Sequence, residues 1–179
     1  MERPIVPHRI QTVFEGRIFK VQVESITLPS GGRMDAEIIR HPGSVVIIPT
    51  TANGDIVLVR QYRHAIGRWA WELPAGSLKH GEEPRPAAVR ECHEEVGLIP
   101  GRLEELGAFY PTPGYCDEEM HIYHATELRI PGPTDPAAEQ DADEEIEARA
   151  FSPAAIRSMI ASGEIIDLKT VAGLGLLGK

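Results

Sequence analysis

Residues 76–98 read GSLKHGEEPRPAAVRECHEEVGL, and five of these positions are glutamates: Glu82, Glu83, Glu91, Glu94 and Glu95. Like charges four apart on a helix repel, so their concentration here needs a cause. Pro84 and Pro86 fit only a loop or the first turn of a helix. From Ala87 to Val96 the residues favour helix, and Gly97 supplies a stop. On that helix Glu91, Glu94 and Glu95 stand at i, i+3 and i+4 and share a face. Ala88, Cys92 and Val96 lie on the neighbouring face, where they can pack on a sheet. Arg90 precedes Glu94 by four, the spacing of an ion pair.

Carboxylate oxygens converging on one spot suit a hard cation, Mg2+ or Mn2+, at octahedral geometry. Magnesium keeps waters and shares itself with substrate phosphates, which points to chemistry on a phosphate or pyrophosphate. A solvated acidic face with arginine partners also satisfies a bare E-x-x-E-E run. The surrounding residues decide between the two.

Before the acidic stretch, residues 17–28 (RIFKVQVESITL) are β-rich, PSGG follows as a turn, and MDAEIIRH reads as a returning strand. SVVIIP (44–49) and IVLVRQYR (56–63) flank TTANGD, and Asn53-Gly54 predicts a hairpin between two buried strands. A short strand is expected at Trp69–Leu73. After the stretch, LEELGAFY, EMHIYHATEL and IEARAF read as strands, with PTPGYCDE as a loop and TDPAAEQDADEE as an acidic connection. Ser152-Pro153 starts a helix reaching about Ala161, and Asp167 caps a last one over 168–177. The expected class is mixed α/β (α+β), with helices among mostly antiparallel or mixed strands.

The 179 residues suit one domain with a sizeable core, and 42% hydrophobic with 25% charged residues is ordinary for a globular chain. The formal net charge of −9 and the lack of a basic stripe rank nucleic acid and anionic membranes low as partners. Cys92 and Cys116 cannot make a disulfide framework. MERPIVPHRI has no apolar signal region, and the longest apolar runs are far too short for a span. A soluble, cytoplasmic protein is the expectation.

The acidic stretch resembles, position by position, the signature of the Nudix hydrolases, G-x5-E-x7-R-E-U-x-E-E-x-G-U with U apolar. Gly76, Glu82, Arg90, Glu91, Cys92, Glu94, Glu95, Gly97 and Leu98 fill it. Cys92 is the one soft match, in a slot usually held by Ile, Leu or Val; a buried cysteine behaves as a small hydrophobe. The resemblance implies an α/β/α sandwich around a mixed sheet and hydrolysis of a nucleoside diphosphate linked to another moiety. It also implies Glu91 and Glu95 as main ligands of Mg2+, or alternatively Mn2+, with Glu94 supporting and the Ala75 backbone carbonyl joining them. The same glutamates are then the catalytic residues.

Outside the signature, VRQYRHAIGRWAWELPAG (59–76), GRIFKVQVESITLPSG, EIIRHPGSVVIIP and the tail EEIEARAFS…IASGEIIDLKT resemble the ADP-ribose pyrophosphatase branch. The branch usually has a proline fifteen residues after the signature, where Pro113 stands. It implies Arg40 and Arg63 near substrate, whose guanidinium groups suit phosphate or a ring face. It also implies Glu72 near the adenine or ribose. Phe19 is a candidate to stack on a base, against the alternative of strand packing, and Trp69, Trp71, His121 and His124 read as sheet residues. In this branch an acidic loop can supply the base, but Ala142 occupies that position, leaving Asp141, Asp143 or Glu144, or the helix glutamates. The expectations are therefore these. The chain hydrolyses ADP-ribose to AMP and ribose 5-phosphate, with another nucleoside diphosphate sugar such as GDP-mannose, or a non-catalytic nucleotide-sugar module, as alternatives. Residues 1–42 form an N-terminal β region serving homodimerisation, and 43–179 form the hydrolase domain.

Overall fold

The structure, a computed structural model, describes residues 5–137 and 145–178. The chain forms two compact units. One comprises the residues up to Gly43 with Tyr110–Glu119, and the other Ser44–Phe109 with Met120 onward.

The first unit is an antiparallel meander of β1 (Arg9–Glu15), β2 (Lys20–Thr27) and β3 (Arg33–Arg40). The β2–β3 pair is the one expected from the sequence. Strand β1 was not expected: its seven residues are exposed along their length, so no inward/outward alternation marks it. The turn between β2 and β3 closes with Leu28 N–H donating to Gly32 at 2.8 Å, and Gly31 takes a φ of 86° there. The segment Tyr110–Glu119 is stitched to β3 by Ile39 N–H to Tyr115 O, 2.7 Å, and Asp117 N–H to Ile39 O, 3.1 Å.

The second unit is built on β4 (Ser44–Pro49). Its neighbours are β7 (Ala75–Ser77), antiparallel, and β9 (Met120–Arg129), parallel; β9 also pairs antiparallel with β8 (Ile99–Phe109). A second, antiparallel sheet has β5 (Ile56–Arg63) between β6 (Arg68–Glu72) and β10 (Glu147–Phe151). The turn at Asn53-Gly54 is present, with Gly54 N–H bonded to Thr51 O at 2.9 Å. The expected β4–β5 hairpin is not: past one bridge at Thr50 and Ile56 the strands part into different sheets. Both strands are apolar on both faces, so each becomes the centre of its own sheet instead of one edge of a ribbon.

Alternation along β4 sorts the core. Val45 and Ile47 pack with Ala87, Ala88 and Cys92 of the acidic helix, and Val46 and Ile48 pack with Ile156, Met159 and Leu174 from the C-terminal helices. Helices thus cover both faces of the mixed sheet. The four β4 side chains are 0% exposed, each contributing about 1.5–3 kcal/mol on burial. Helix α2 (Pro153–Ser162) is capped by Ser152 Oγ accepting from Ala155 N–H at 3.2 Å, and α3 (Leu168–Leu176) by Asp167 accepting from Thr170 N–H at 3.0 Å. Both caps are those read from the sequence. Helix α3 lies close against β4 and the residue after β6 because residue 173 is glycine: a Cβ there would meet Leu73 Cδ1 at 2.8 Å and Ile48 Cδ1 at 3.4 Å. No helix among the described residues is long and apolar enough to cross a membrane.

Candidate metal and substrate site

Helix α1 (Pro84–Glu91) begins at a proline, as expected, but it is not an α-helix to Val96. Cys92–Val96 form a wider π turn, closed by Gly97 at a φ of 74°. Glu94 and Glu95 sit in that turn. Such turns are uncommon and recur at functional sites. Residue spacing fixes which side chains are neighbours, yet it does not reveal which carbonyl each N–H selects.

Arg90 organises the acidic cluster. Its Nε and Nη2 donate to the two oxygens of Glu82, each at 2.8 Å, while Nη1 donates to Glu91 at 2.6 Å and to Glu94 at 2.8 Å. The expected Arg90–Glu94 pair is therefore one of three. Glu82, a signature residue given no separate role in the sequence reading, receives the bidentate grip. The guanidinium holds the Glu82 carboxyl below the ordinary carboxylate range, and Glu82 first and then Glu91 and Glu94 push the Arg90 pKa upward.

Glu95 is 5% exposed, and its Oε2 accepts from Ala75 N–H at 3.0 Å. Ala75 and Gly76 stand on β7 opposite Val46 and Val45, so the first residues of the signature rest on a rigid strand. Gly76 is required there by space: any Cβ would fall inside the Glu91 carboxylate. Glu82, Glu91 and Glu94 share one arginine, and a fourth carboxylate, Glu95, is buried on the same helical stretch. All the donors are hard oxygens. The glycine cradle, the number of carboxylates and the donor type fit a divalent cation of the magnesium class. Among the described residues no three His, Cys, Asp or Glu side chains converge as a ready-made cage. Arg90 holds oxygens of Glu91 and Glu94.

In the same unit the structure brings Arg63 and Glu72 together. Arg63 Nε and Nη2 each lie 2.8 Å from Glu72. Glu72 is 2% exposed and also accepts from Lys169. Burial pulls the Arg63 pKa down, but hydrogen bonding to Glu72 and the charges of Glu72, Glu95 and Asp167 raise it overall, which keeps it a cation. Sequence reading assigned no role near Glu72 to Lys169, its partner, or to Asp167 and Thr170, which bond around Lys169 and Leu73. The available signal was that Lys169 and Thr170 are the only polar residues in the otherwise apolar α3.

In the other unit Arg40 is bound by Asp117 at 2.8 Å, by Gln22 at 3.2 Å and by the buried Glu24. These bonds, Asp117 first, raise its pKa. Arg40 and Pro113 line one cavity of about 340 Å3 with Tyr110, Tyr115 and Asp117. The Phe19 ring packs against Phe14, centroids 5.8 Å apart. Asp141, Ala142, Asp143 and Glu144 lie outside the described residues. Trp71 packs edge-on against Phe151, and His124 Nε2 lies 3.0 Å from Thr50 Oγ1.

A model of the NUDIX domain matches residues 40–172. An ADP-ribose pyrophosphatase of Bacillus subtilis (strain 168) is 35% identical over 93% of this chain and 89% of its own. One of Mycobacterium tuberculosis is 38% identical over 92% of this chain and 78% of its own. A methanol dehydrogenase activator of Bacillus methanolicus is 37% identical over 94% and 90%. The crystal structure of an ADP compounds hydrolase aligns with a TM-score of 0.79 over 98% of this chain and 92% of its own, at 21% identity, a likeness of fold.

Proposed function

The chain belongs to the NUDIX domain family of hydrolases, and from that premise we propose that it hydrolyses the pyrophosphate bond of ADP-ribose to AMP and ribose 5-phosphate with Mg2+. The observation that carries the reading is the glutamate cluster around Arg90, seated on Ala75 and Gly76. The names of two relatives at 35% and 38% identity support the choice of ADP-ribose.

In this reading Glu91 and Glu95 hold the ion, Glu94 supports them, and the Ala75 carbonyl completes the protein's share. A divalent ion there supplies Lewis acidity, offsetting phosphate charge and making water a stronger nucleophile. Arg90 orients three carboxylates and stays off the substrate. Arg63 carries a cation to the diphosphate, for which its planar fork is suited. Glu72 has both oxygens engaged by Arg63 and Lys169, so it acts by holding Arg63 in addition to any contact with adenine or ribose. Arg40 and Pro113, which line one cavity, and Phe19 are further proposed substrate-binding residues. The proton from water goes to Glu94 or to Glu144.

Residues 1–42 serve as the dimerisation element of a homodimer, and 43–179 as the hydrolase domain. Ile10, Val13 and Phe14 of β1, 52–54% exposed, support this as apolar side chains that a partner could cover. Sedimentation equilibrium at micromolar concentration checks it, and a monomer there counts against it.

The substrate test is hydrolysis of ADP-ribose and GDP-mannose with Mg2+, following the released mononucleotide. ADP-ribose is expected to be cleaved with the higher kcat/KM, and Glu95→Gln to lose about 100-fold or more. Preference for GDP-mannose moves the substrate and leaves the chemistry. Full activity in Glu95→Gln removes the metal assignment. Glu94→Gln and Glu144→Gln assign the base through loss of the acid limb of the pH–rate profile.

A further inference from the structure

The first turn of α3 points its polar groups inward. The Lys169 side chain is 11% exposed and Thr170 is 0% exposed. Lys169 Nζ donates to Asp167 Oδ2 at 3.0 Å and to Oε2 of Glu72. Thr170 Oγ1 donates to the same Asp167 oxygen at 2.6 Å and accepts from Leu73 N–H at 2.8 Å. One helical turn therefore grips two consecutive residues of the chain entering the signature, Glu72 through charge and Leu73 through backbone. Two residues on, Ala75 N–H holds Glu95.

A carboxylate has about four acceptor sites. Three of those on Glu72 are taken, two by Arg63 and one by Lys169. Arg63 pairs with Glu72 bidentately, and the bond from Lys169 on a different element ties the same carboxylate a second time. Arg63 by contrast is a long, rotamer-rich side chain, 43% exposed. Left to itself it would give up much of its freedom on binding an anion.

Resting on the reading in which Arg63 meets a substrate phosphate, we propose that Lys169 is a positioning residue of this hydrolase, anchoring Glu72 so that Arg63 presents its guanidinium in one orientation to the diphosphate. Lys169 bonds to Glu72 and Asp167, and in this reading it acts through Glu72. Without it Glu72 is left with one cation, the carboxylate turns, and Arg63 turns with it. Arg63 then loses its orientation but keeps its charge. The loss falls on substrate affinity and spares the chemical step, which belongs to the glutamates.

The test compares the full chain with Lys169→Met, Glu72→Gln and the double variant, using steady-state kinetics on ADP-ribose with Mg2+. A second arm reads the Arg63 Nε–H signal in 15N-arginine-labelled protein, assigned by its loss in Arg63→Lys. Lys169→Met is expected to raise KM about tenfold while kcat changes by less than about threefold. In the Glu72→Gln background the same change is expected to move KM by less than about twofold, because the two residues act as one unit. The Arg63 signal shifts or broadens in Lys169→Met. The double variant removes both partners of the Lys169–Glu72 pair together, so its comparison with Glu72→Gln decides even if Lys169→Met alone does not fold: equal KM supports the proposal. An unchanged KM and Arg63 signal in Lys169→Met, or an equal factor lost with and without Glu72, overturns it. The NMR arm needs no substrate. If ADP-ribose is not cleaved by the unaltered chain, the substrate reading falls, while the Arg63 signal still supports or overturns the role of Lys169.

Discussion

The Glu91 carboxylate occupies the space that a side chain on Gly76 would fill. Gly76 is thus needed for room and not for an unusual backbone angle; it is absent from the positive-φ glycines. Gly76→Ala should push Glu91 from its seat, and a misplacement of about an ångström at a reacting centre can cost about 100-fold. The expected outcome is a fall of that order in kcat/KM together with a higher Mg2+ concentration at half-activation. A metal titration of activity checks it, and an unaltered titration would show that Glu91 does not depend on that seat.

Arg90 is the cation that three glutamates share. Removing one partner from a largely buried charge cluster leaves the others uncompensated, at a cost of about 3 kcal/mol, the lower end of the range because the arginine side chain is 21% exposed. Arg90→Met should therefore unfold at a clearly lower denaturant concentration. Added Mg2+ should recover part of the loss by binding the folded state. Urea titrations with and without Mg2+ measure both effects; equal midpoints for the variant and the unaltered chain would refute the shared-cation account.

The carboxyl of Glu82 titrates below its ordinary 4.5, chiefly through its bonds to Arg90. A folded pKa below the unfolded one stabilises the protein above the unfolded value, and the benefit disappears as pH falls through the folded one. Glu82→Gln should accordingly melt below the unaltered chain at pH 7. The gap should narrow as pH falls below about 4.5. Melting temperatures across that range test the sign directly, and a gap that widens toward acid would contradict it.

Burial pushes the Cys92 thiol up to about 12, with Glu95 adding to the effect, whereas Cys116 is only partly covered. The thiolate is the reactive form, so a thiol reagent at pH 8 should label Cys116 and spare Cys92 until the chain unfolds. Labelling of folded Cys116→Ser tests this, and rapid uptake there would mean that the packing of α1 on β4 opens readily.

Residue spacing was enough to place the acidic helix, its apolar face and its terminal glycine, and to find the Ser152 and Asp167 caps, because these depend on groups within four positions of one another. It also carried the Nudix signature, and with it the metal glutamates and Ala75 as candidates. Tertiary structure alone decided the rest. The turn at Asn53-Gly54 is local, but the fates of β4 and β5 were set by which partners buried their two apolar faces. Strand β1 has no buried face, so it left no pattern to read. Glu72 meets Lys169 across 97 positions. No local rule reaches that far; the pair exists because Gly173 lets α3 approach Leu73 and brings the charged first turn of that helix onto the chain entering the signature.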